Sequence, residues 1–347
     1  MNRQRMNPSD MRRGAGIVIA CVAAALLVSA AFLLAAGRDP LQAGMVLFGS
    51  AFGSIDGVAE TITRAVPLAL AGLGIAIAFR ASMYNIGGDG QLMIGAIGGV
   101  AALQWAGDAG AIGLPWLLLA SALAGGLYGA LAGWLRARFD ASEIIVTIML
   151  NYVAFQMLAW LVRGPLQESQ KIMPRSGAIP EAAQLPELIE AGQLHAGVLV
   201  ALALALLVHV VMRRTSFGFR LMAVGENPRA AAAGGIGVGG IIILSMAASG
   251  ALCGLAGGVE VAGVFHRLEE NMAPGLGITA IAVALLARLN TLAVPFAALL
   301  FGALTVGAGA LQRQMAIPFP LLWIIDAVVI VAFLFAGARW RRAQPAA

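Results

Sequence analysis

Two polar runs interrupt the apolar segments of this chain, and both could line a path for a small solute. The first is FRASMYNIGGDGQ, Phe79 to Gln91. Gly87, Gly88 and Gly90 permit backbone shapes closed to other residues. Asn85, Asp89 and Gln91 supply hydrogen-bonding groups. A helix broken at membrane depth is tolerated where it lines a cavity, and such breaks hold solutes and ions. The same stretch also fits an ordinary turn with Asp89 in water. In the second run Glu143, Thr147 and Asn151 recur every four residues and so share one helical face. A polar stripe on a membrane helix faces the bundle or a water-filled path. Thr147 and Asn151 are therefore candidate pathway residues, with plain helix–helix hydrogen bonding as the other reading. Glu143 also fits an interfacial position at the helix start.

Glu260 and Asp326 are the acids placed deepest within apolar segments. A carboxylate at that depth is a functional candidate by default. For Glu260 the competing reading is an ion pair with Arg267, and for Asp326 a hydrogen bond to a neighbouring helix. His195, His209 and His266 show no metal-ligand spacing. There is no G-x-x-x-x-G-K-[ST] loop, no H-E-x-x-H and no G-x-S-x-G. ATP binding by a P-loop, a zinc hydrolase site and a serine nucleophile elbow are all without sequence support.

A third stretch, Thr215 to Ile236, lies between two long apolar segments and is too short and polar to cross a membrane. Its end reads as a small helix. Asn227 suits the N-cap, Pro228 the first helical position, Arg229 to Ala233 the body, and Gly234 with Gly235 the stop. A helix of about two turns is unstable alone, since roughly 12–15 residues are needed. It must pack on its own protein or dock into a partner.

The elements that position these residues follow from composition. Of 347 residues 60% are hydrophobic and 11% charged, with mean hydropathy +0.89. Soluble domains carry about a quarter charged residues, so the expected fold is all-α, a polytopic membrane helix bundle. Ten candidate spans fall at about 15–36, 61–79, 91–107, 112–135, 143–163, 195–212, 239–264, 275–288, 291–311 and 319–338, by the guide of roughly 20 apolar residues per crossing. Those at 91–107 and 275–288 are short. The run 15–36 exceeds a signal-peptide core and reads as an uncleaved span.

The net charge of +5 is not a nucleic-acid signal. All basic residues but Lys171 are Arg, and they sit at the ends of apolar runs. With both termini inside, fifteen basic residues face the cytoplasm and seven face out. That bias is the positive-inside pattern. It makes 1–14 a cytoplasmic tail, 164–194 an outer loop and 213–238 a cytoplasmic loop of a single 1–347 transmembrane domain. The outer loop reads as solvated chain, a lid or a contact for a delivery protein. All six Trp lie near span ends. Cys21 and Cys253 read as small apolar residues. Gly125, Gly129 and Gly133, and Gly250, Gly254 and Gly258, form stripes that let helix backbones touch in lipid. Spans two to five and seven to ten suggest an inverted five-helix repeat.

Three stretches resemble a known family. NIGGDGQLMIGA (Asn85–Ala96), EIIVTIMLNYVA (Glu143–Ala154) and GFRLMAVGENPRAAAAGGI (Gly218–Ile236) are similar to permease subunits of ATP-binding cassette importers of the branched-chain amino-acid/ribose type. Gly250 to Arg267 shares the likeness, which runs from about residue 60. Gln91 looks more like the first of the two paralogous nucleoside permeases. Asp89 departs from the glutamate more common in that branch, which keeps the charge and shortens the reach. The resemblance implies uptake of a nucleoside or simple sugar and no cofactor on this chain, ATP being bound by a partner. It implies a cytoplasmic ATPase, a second permease read as a paralogue, an extracytoplasmic solute-binding protein and a place in the bacterial inner membrane. It also makes the short helix a coupling helix, with Gly218, Arg220, Gly225, Glu226, Asn227 and Pro228 as the matching positions. The alternative is an ion-coupled secondary transporter with Asp89, Glu260 and Asp326 as coupling acids. No nucleophile–base pair supports a membrane enzyme.

Overall fold

The structure is a computed structural model that describes residues 23–24, 27–35, 37–107, 110–189, 193–270, 272, 274–317, 327–328 and 331. The tail 1–14, most of the expected span 319–338, Asp326 and Cys21 lie outside the described residues. The chain is mostly helical. Helix α1 covers 27–35. It is followed by α2 (Pro40–Phe52), α3 (Ile55–Arg80), α4 (Gly88–Ala106), α5 (Gly113–Phe139) and α6 (Glu143–Arg163). Then come α7 (Gly197–Arg214), α8 (Ser216–Glu226), α9 (Pro228–Ala233), α10 (Val238–Glu260), α11 (Leu276–Leu286) and α12 (Val294–Met315). A π-helical turn, Val261–Phe265, prolongs α10. The two strands, β1 (Glu187–Ile189) and β2 (Leu194–His195), pair antiparallel.

Among the described residues six helices are long and apolar enough to cross a membrane: α3, α5, α6, α7, α10 with its π turn, and α12. The expected span 275–288 is an 11-residue helix, α11, and 91–107 belongs to α4, whose first turn is polar and glycine-rich. Helix α2 falls outside every expected span. It forms because Asp39 accepts the Leu41 N–H at 2.9 Å and Pro40 occupies the first helical position.

Two compact units make up the chain. One comprises 1–57 and 303–347. In it Leu33, Ala43, Leu311, Met315 and Ile317 form a small core. The other, Val58–Gly302, holds the polar runs. Its centre is α3, with 83% of its most apolar stretch buried. Helix α10 lies along it, its Cys253 Sγ 4.0 Å from the Ala71 carbonyl. Helix α6 is peripheral, and Ile145, Met149, Val153 and Trp160 on it are exposed, as suits a surface in lipid.

The two glycine stripes meet each other. A Cβ on Gly254 would collide with the Ser121 carbonyl and reach the Gly125 Cα at 2.8 Å, and one on Gly125 would collide with the Gly250 carbonyl. Lipid tails are as apolar as leucine, so backbone contact of this kind, not hydrophobic force, holds α5 to α10.

Residues 164–189 fold back over the end of α10. Ser176 N–H donates to Leu268 O at 2.9 Å, Ile179 N–H to His266 O at 2.8 Å, and Leu185 N–H to Ala262 O at 2.8 Å. At the base of this cap His195 is buried, its Nδ1 accepting the Gly197 N–H at 3.1 Å. Burial, followed by the neighbouring His266, pushes the His195 pKa down from 6.5 to about 4.

Two outcomes are expected. Gly254→Val forces α5 and α10 apart and lowers stability by about 3 kcal/mol. A thermal melt of purified protein checks it, and an unchanged midpoint contradicts the packing. For His195 the folded form resists a proton that the unfolded chain accepts, so acid favours opening. The cap keeps full stability above pH 6.5 and loses it as pH falls toward 4. The hydrogen-exchange protection of 176–189, corrected for the intrinsic slowing of exchange in acid, falls over that window in the wild type and stays flat in His195→Gln.

Candidate functional site

Helix α3 stops at Arg80 and α4 starts at Gly88; past Ala81, Ser82 and Met83, which still donate to carbonyls of α3, the chain leaves the helical ladder. Buried peptide groups must be paired, and side chains from the stretch itself and from α6 do this. Asn85 is fully buried. Its Nδ2 donates to Gln91 Oε1 and to Ser249 Oγ, both at 2.8 Å. Its Oδ1 accepts the Gly87 N–H at 3.0 Å and Gln91 Nε2 at 3.1 Å. Both donors and both acceptor sites of the amide are thus used. From α6, Asn151 Oδ1 accepts the Gly90 N–H at 2.8 Å, and its Nδ2 donates to Ile86 O at 3.0 Å. Thr147 Oγ1 accepts the Ile86 N–H at 3.4 Å and donates to Glu143 O at 2.7 Å.

The polar face of α6 therefore points at the broken stretch. Its first member, Glu143, pairs instead with Arg136 Nε at 3.4 Å. Gly87, Gly88 and Gly90 do not take positive φ. They are small because neighbours are near: a Cβ on Gly88 would lie 3.1 Å from the Gly277 Cα. That contact marks a meeting of two helix N-termini. Asp89, 3% exposed in the first turn of α4, accepts the Gly277 N–H at 2.6 Å in the first turn of α11. A carboxylate between two N-termini faces the positive ends of both helix dipoles.

Five of the sequence candidates thus converge: Asn85, Asp89, Gln91, Thr147 and Asn151. Glu260 does not join them. It is buried on α10, eleven residues beyond Ser249, or about 16 Å along the helix axis. Among the described residues it makes no ion pair with Arg267, and Arg64 on α3 pairs with Glu60 at 3.8 Å. Sequence reasoning missed Ser249, Gly277 and Arg80. Ser245 and Ser249, a four-residue polar repeat in an apolar helix, were a readable signal for the first.

The second site is the segment between α7 and α10. Where the sequence marks a small helix only at the end of the stretch, the chain forms two helices, α8 and α9. Thr215 caps α8, its Oγ1 accepting the Gly218 N–H at 3.4 Å. Asn227 caps α9, its Oδ1 accepting the Arg229 and Ala230 N–H groups at 3.1 Å each. The glycines of α8 serve close approach. A Cβ on Gly225 would collide with the Arg80 carbonyl, and one on Gly218 with that of Met212. Ser82 Oγ donates to Gly225 O at 2.7 Å. Leu221 and Val224 are buried, each contributing about 1.5–3 kcal/mol. So α8 rests on its own protein. Arg220, Glu226, Asn227, Pro228 and Arg229 are exposed, as is Phe219 at 66%.

The family model described as branched-chain amino acid transport system, permease component, matches residues 57–337. The chain is similar to the glucose ABC transporter permease protein of Haloferax volcanii, 36% identical over 94% of this chain and 88% of that one. It is similar to the guanosine ABC transporter permease protein of Bacillus subtilis, 36% identical over 88% and 89% of the two chains. It is also similar to the nucleoside ABC transporter permease protein of Lactococcus lactis, 30% identical over 88% and 86%. No solved structure matches.

Replacing Asn151 with Ala leaves the Gly90 N–H and the Ile86 carbonyl without their partner. The expected loss is about 2 kcal/mol, read as a lower melting midpoint in mild detergent. An unchanged midpoint means that Asn151 does not hold the stretch.

Proposed function

Because the chain belongs to the permease family of the branched-chain amino acid transport system, the membrane-spanning subunits of ATP-binding cassette importers, we propose that it carries a nucleoside or simple sugar into the cell. It is a multi-pass protein of the inner membrane. The solute class rests on the relatives, which are named for glucose, guanosine and nucleosides. As in those relatives the chain is a transport component, and no ATP site of its own is needed. Its partners in this reading are a cytoplasmic ATPase, a second permease, a paralogue of this one, and a solute-binding protein outside.

The observation that carries the reading is the double nature of α8 and α9. One face is fastened to the permease through Gly218, Gly225, Leu221 and Val224. The other presents Phe219, Arg220, Glu226, Asn227 and Pro228 to solvent. A helix so anchored suits a cleft in a second protein. We take 213–238 as the cytoplasmic coupling loop, 164–194 as the outer loop and 1–14 as the cytoplasmic tail of one permease domain.

The ten-element bundle with both termini inside comprises the six long apolar helices, the more polar α4, the short α11, and the apolar runs at the two ends. Contacts support the grouping by side. Arg80, Ser82, Gly225 and Leu289 lie together, and so do Ser176, Ile179, His266 and Leu268. The pairing of α4 with α11, third and eighth elements of that count, favours an inverted repeat. Asn85, Asp89, Gln91, Thr147 and Asn151 shape the wall of the pathway where those helices meet. Glu260 and Asp326 are its further polar groups.

Tagged protein purified from native membranes in mild detergent tests this. Co-elution of a P-loop ATPase and a second permease is expected. Uptake of guanosine or glucose should survive an uncoupler and stop on ATP depletion. A chain that elutes alone, with uptake that collapses under the uncoupler, overturns the reading in favour of ion coupling.

A further inference from the structure

Arg80, the last residue of α3, touches two other helical elements with one guanidinium. Its Nε donates to the Leu289 carbonyl, just past the C-terminus of α11, at 2.9 Å. One of its Nη groups lies 3.8 Å from Met222 Sδ on α8. Two residues on, Ser82 is bonded to the Gly225 carbonyl of α8. Nine residues on, Asp89 is bonded to the N-terminal turn of α11. The segment Arg80–Asp89 thus holds α11 by both ends and α8 by its inner face. Helix α11 is 11 residues long, about 16 Å, a distance that the ten residues of this segment can reach.

The grips sit on unusual backbone. Ser82, Arg288 and Leu289 take φ of +56°, +53° and +57°. The left-handed region is costly for residues with a Cβ and persists where the surroundings enforce it, as they do at switch regions. Two such residues in succession end α11, and the second offers its carbonyl to Arg80.

We propose that Arg80 and Asp89 are positioning residues that make the segment between α3 and α4 a relay, so that a displacement of α8 moves α11 and the start of α4 as one body. The proposal rests on the reading that α8 and α9 dock into an ATPase. It adds how that docking reaches the meeting point of α4 and α11. A packed segment of this kind transmits displacement because it is fixed both to α8 and to the two ends of α11 and little in it can yield.

The test uses the whole complex in lipid vesicles, with guanosine and glucose as probes and ATP on the ATPase side. Uptake and ATP hydrolysis are measured in the same vesicles. In Arg80→Gln the solute moved per ATP should fall at least tenfold, with hydrolysis within twofold of the unaltered complex. Arg80→Lys should recover part of the loss. Leu289→Gly keeps the carbonyl and relaxes the turn, and should lower the same ratio at least threefold. If the ratio is unchanged in Arg80→Gln and Leu289→Gly, or if uptake and hydrolysis fall in step, the relay is wrong. Should Arg80→Gln not assemble, Leu289→Gly and Ser82→Ala decide by the same ratio. The unaltered complex separates the two ideas: without ATP-driven uptake there, the importer reading itself fails.

Discussion

The structure depends on one constraint: a peptide group inside an apolar body must have a partner. Helices meet it by themselves, and a break in a helix does not. The break between Arg80 and Gly88 therefore needs Asn85, Thr147 and Asn151, each spending its side chain on backbone or on a neighbour that does so. Asp89 solves the same problem for another helix, capping α11 across the bundle. These residues look like solvent-seeking groups in the sequence. In the fold they are what lets a non-helical stretch exist at that depth.

Close packing sets where those partners are. The stripes on α5 and α10 bring backbone against backbone, so α10 cannot rotate or slide without collision at Gly125 or Gly254. That fixes Ser249, one residue before the Gly250–Gly258 stripe, beneath Asn85. A packing feature far from any solvent thus determines the geometry of the polar cluster. The same helix carries Glu260 well away from it, which separates two groups that the sequence alone ranks together.

The coupling segment illustrates how a small residue can mislead. Gly218 and Gly225 suggest a loop, since glycine weakens a helix by about 1 kcal/mol relative to alanine. Both sit inside α8. They are needed because carbonyls of Met212 and Arg80 occupy the space a Cβ would take. Burial of Leu221 and Val224 then offsets the lost helix propensity. A helix the size of α9, with Ala231 as its one buried residue, keeps its shape by the Asn227 cap and by attachment to α8.

What the sequence determined by itself was whatever depends on neighbours along the chain. Composition set the class. Apolar length placed the long helices within a few residues. Asn227, Pro228 and Gly235 bounded α9, and the four-residue spacing put Thr147 and Asn151 on one face. Family likeness came from runs of the same kind. Only the tertiary structure decided which faces meet. That Gly88 lies against Gly277, that Asn85 finds Ser249, and that Arg80 holds Leu289 are contacts between residues far apart in the chain. No periodicity encodes them, because each follows from the joint packing of several helices. The helices α4 and α11 read as weak spans because the first turn of the one is polar and the other is only 11 residues long, and the meeting of their N-termini is legible in neither.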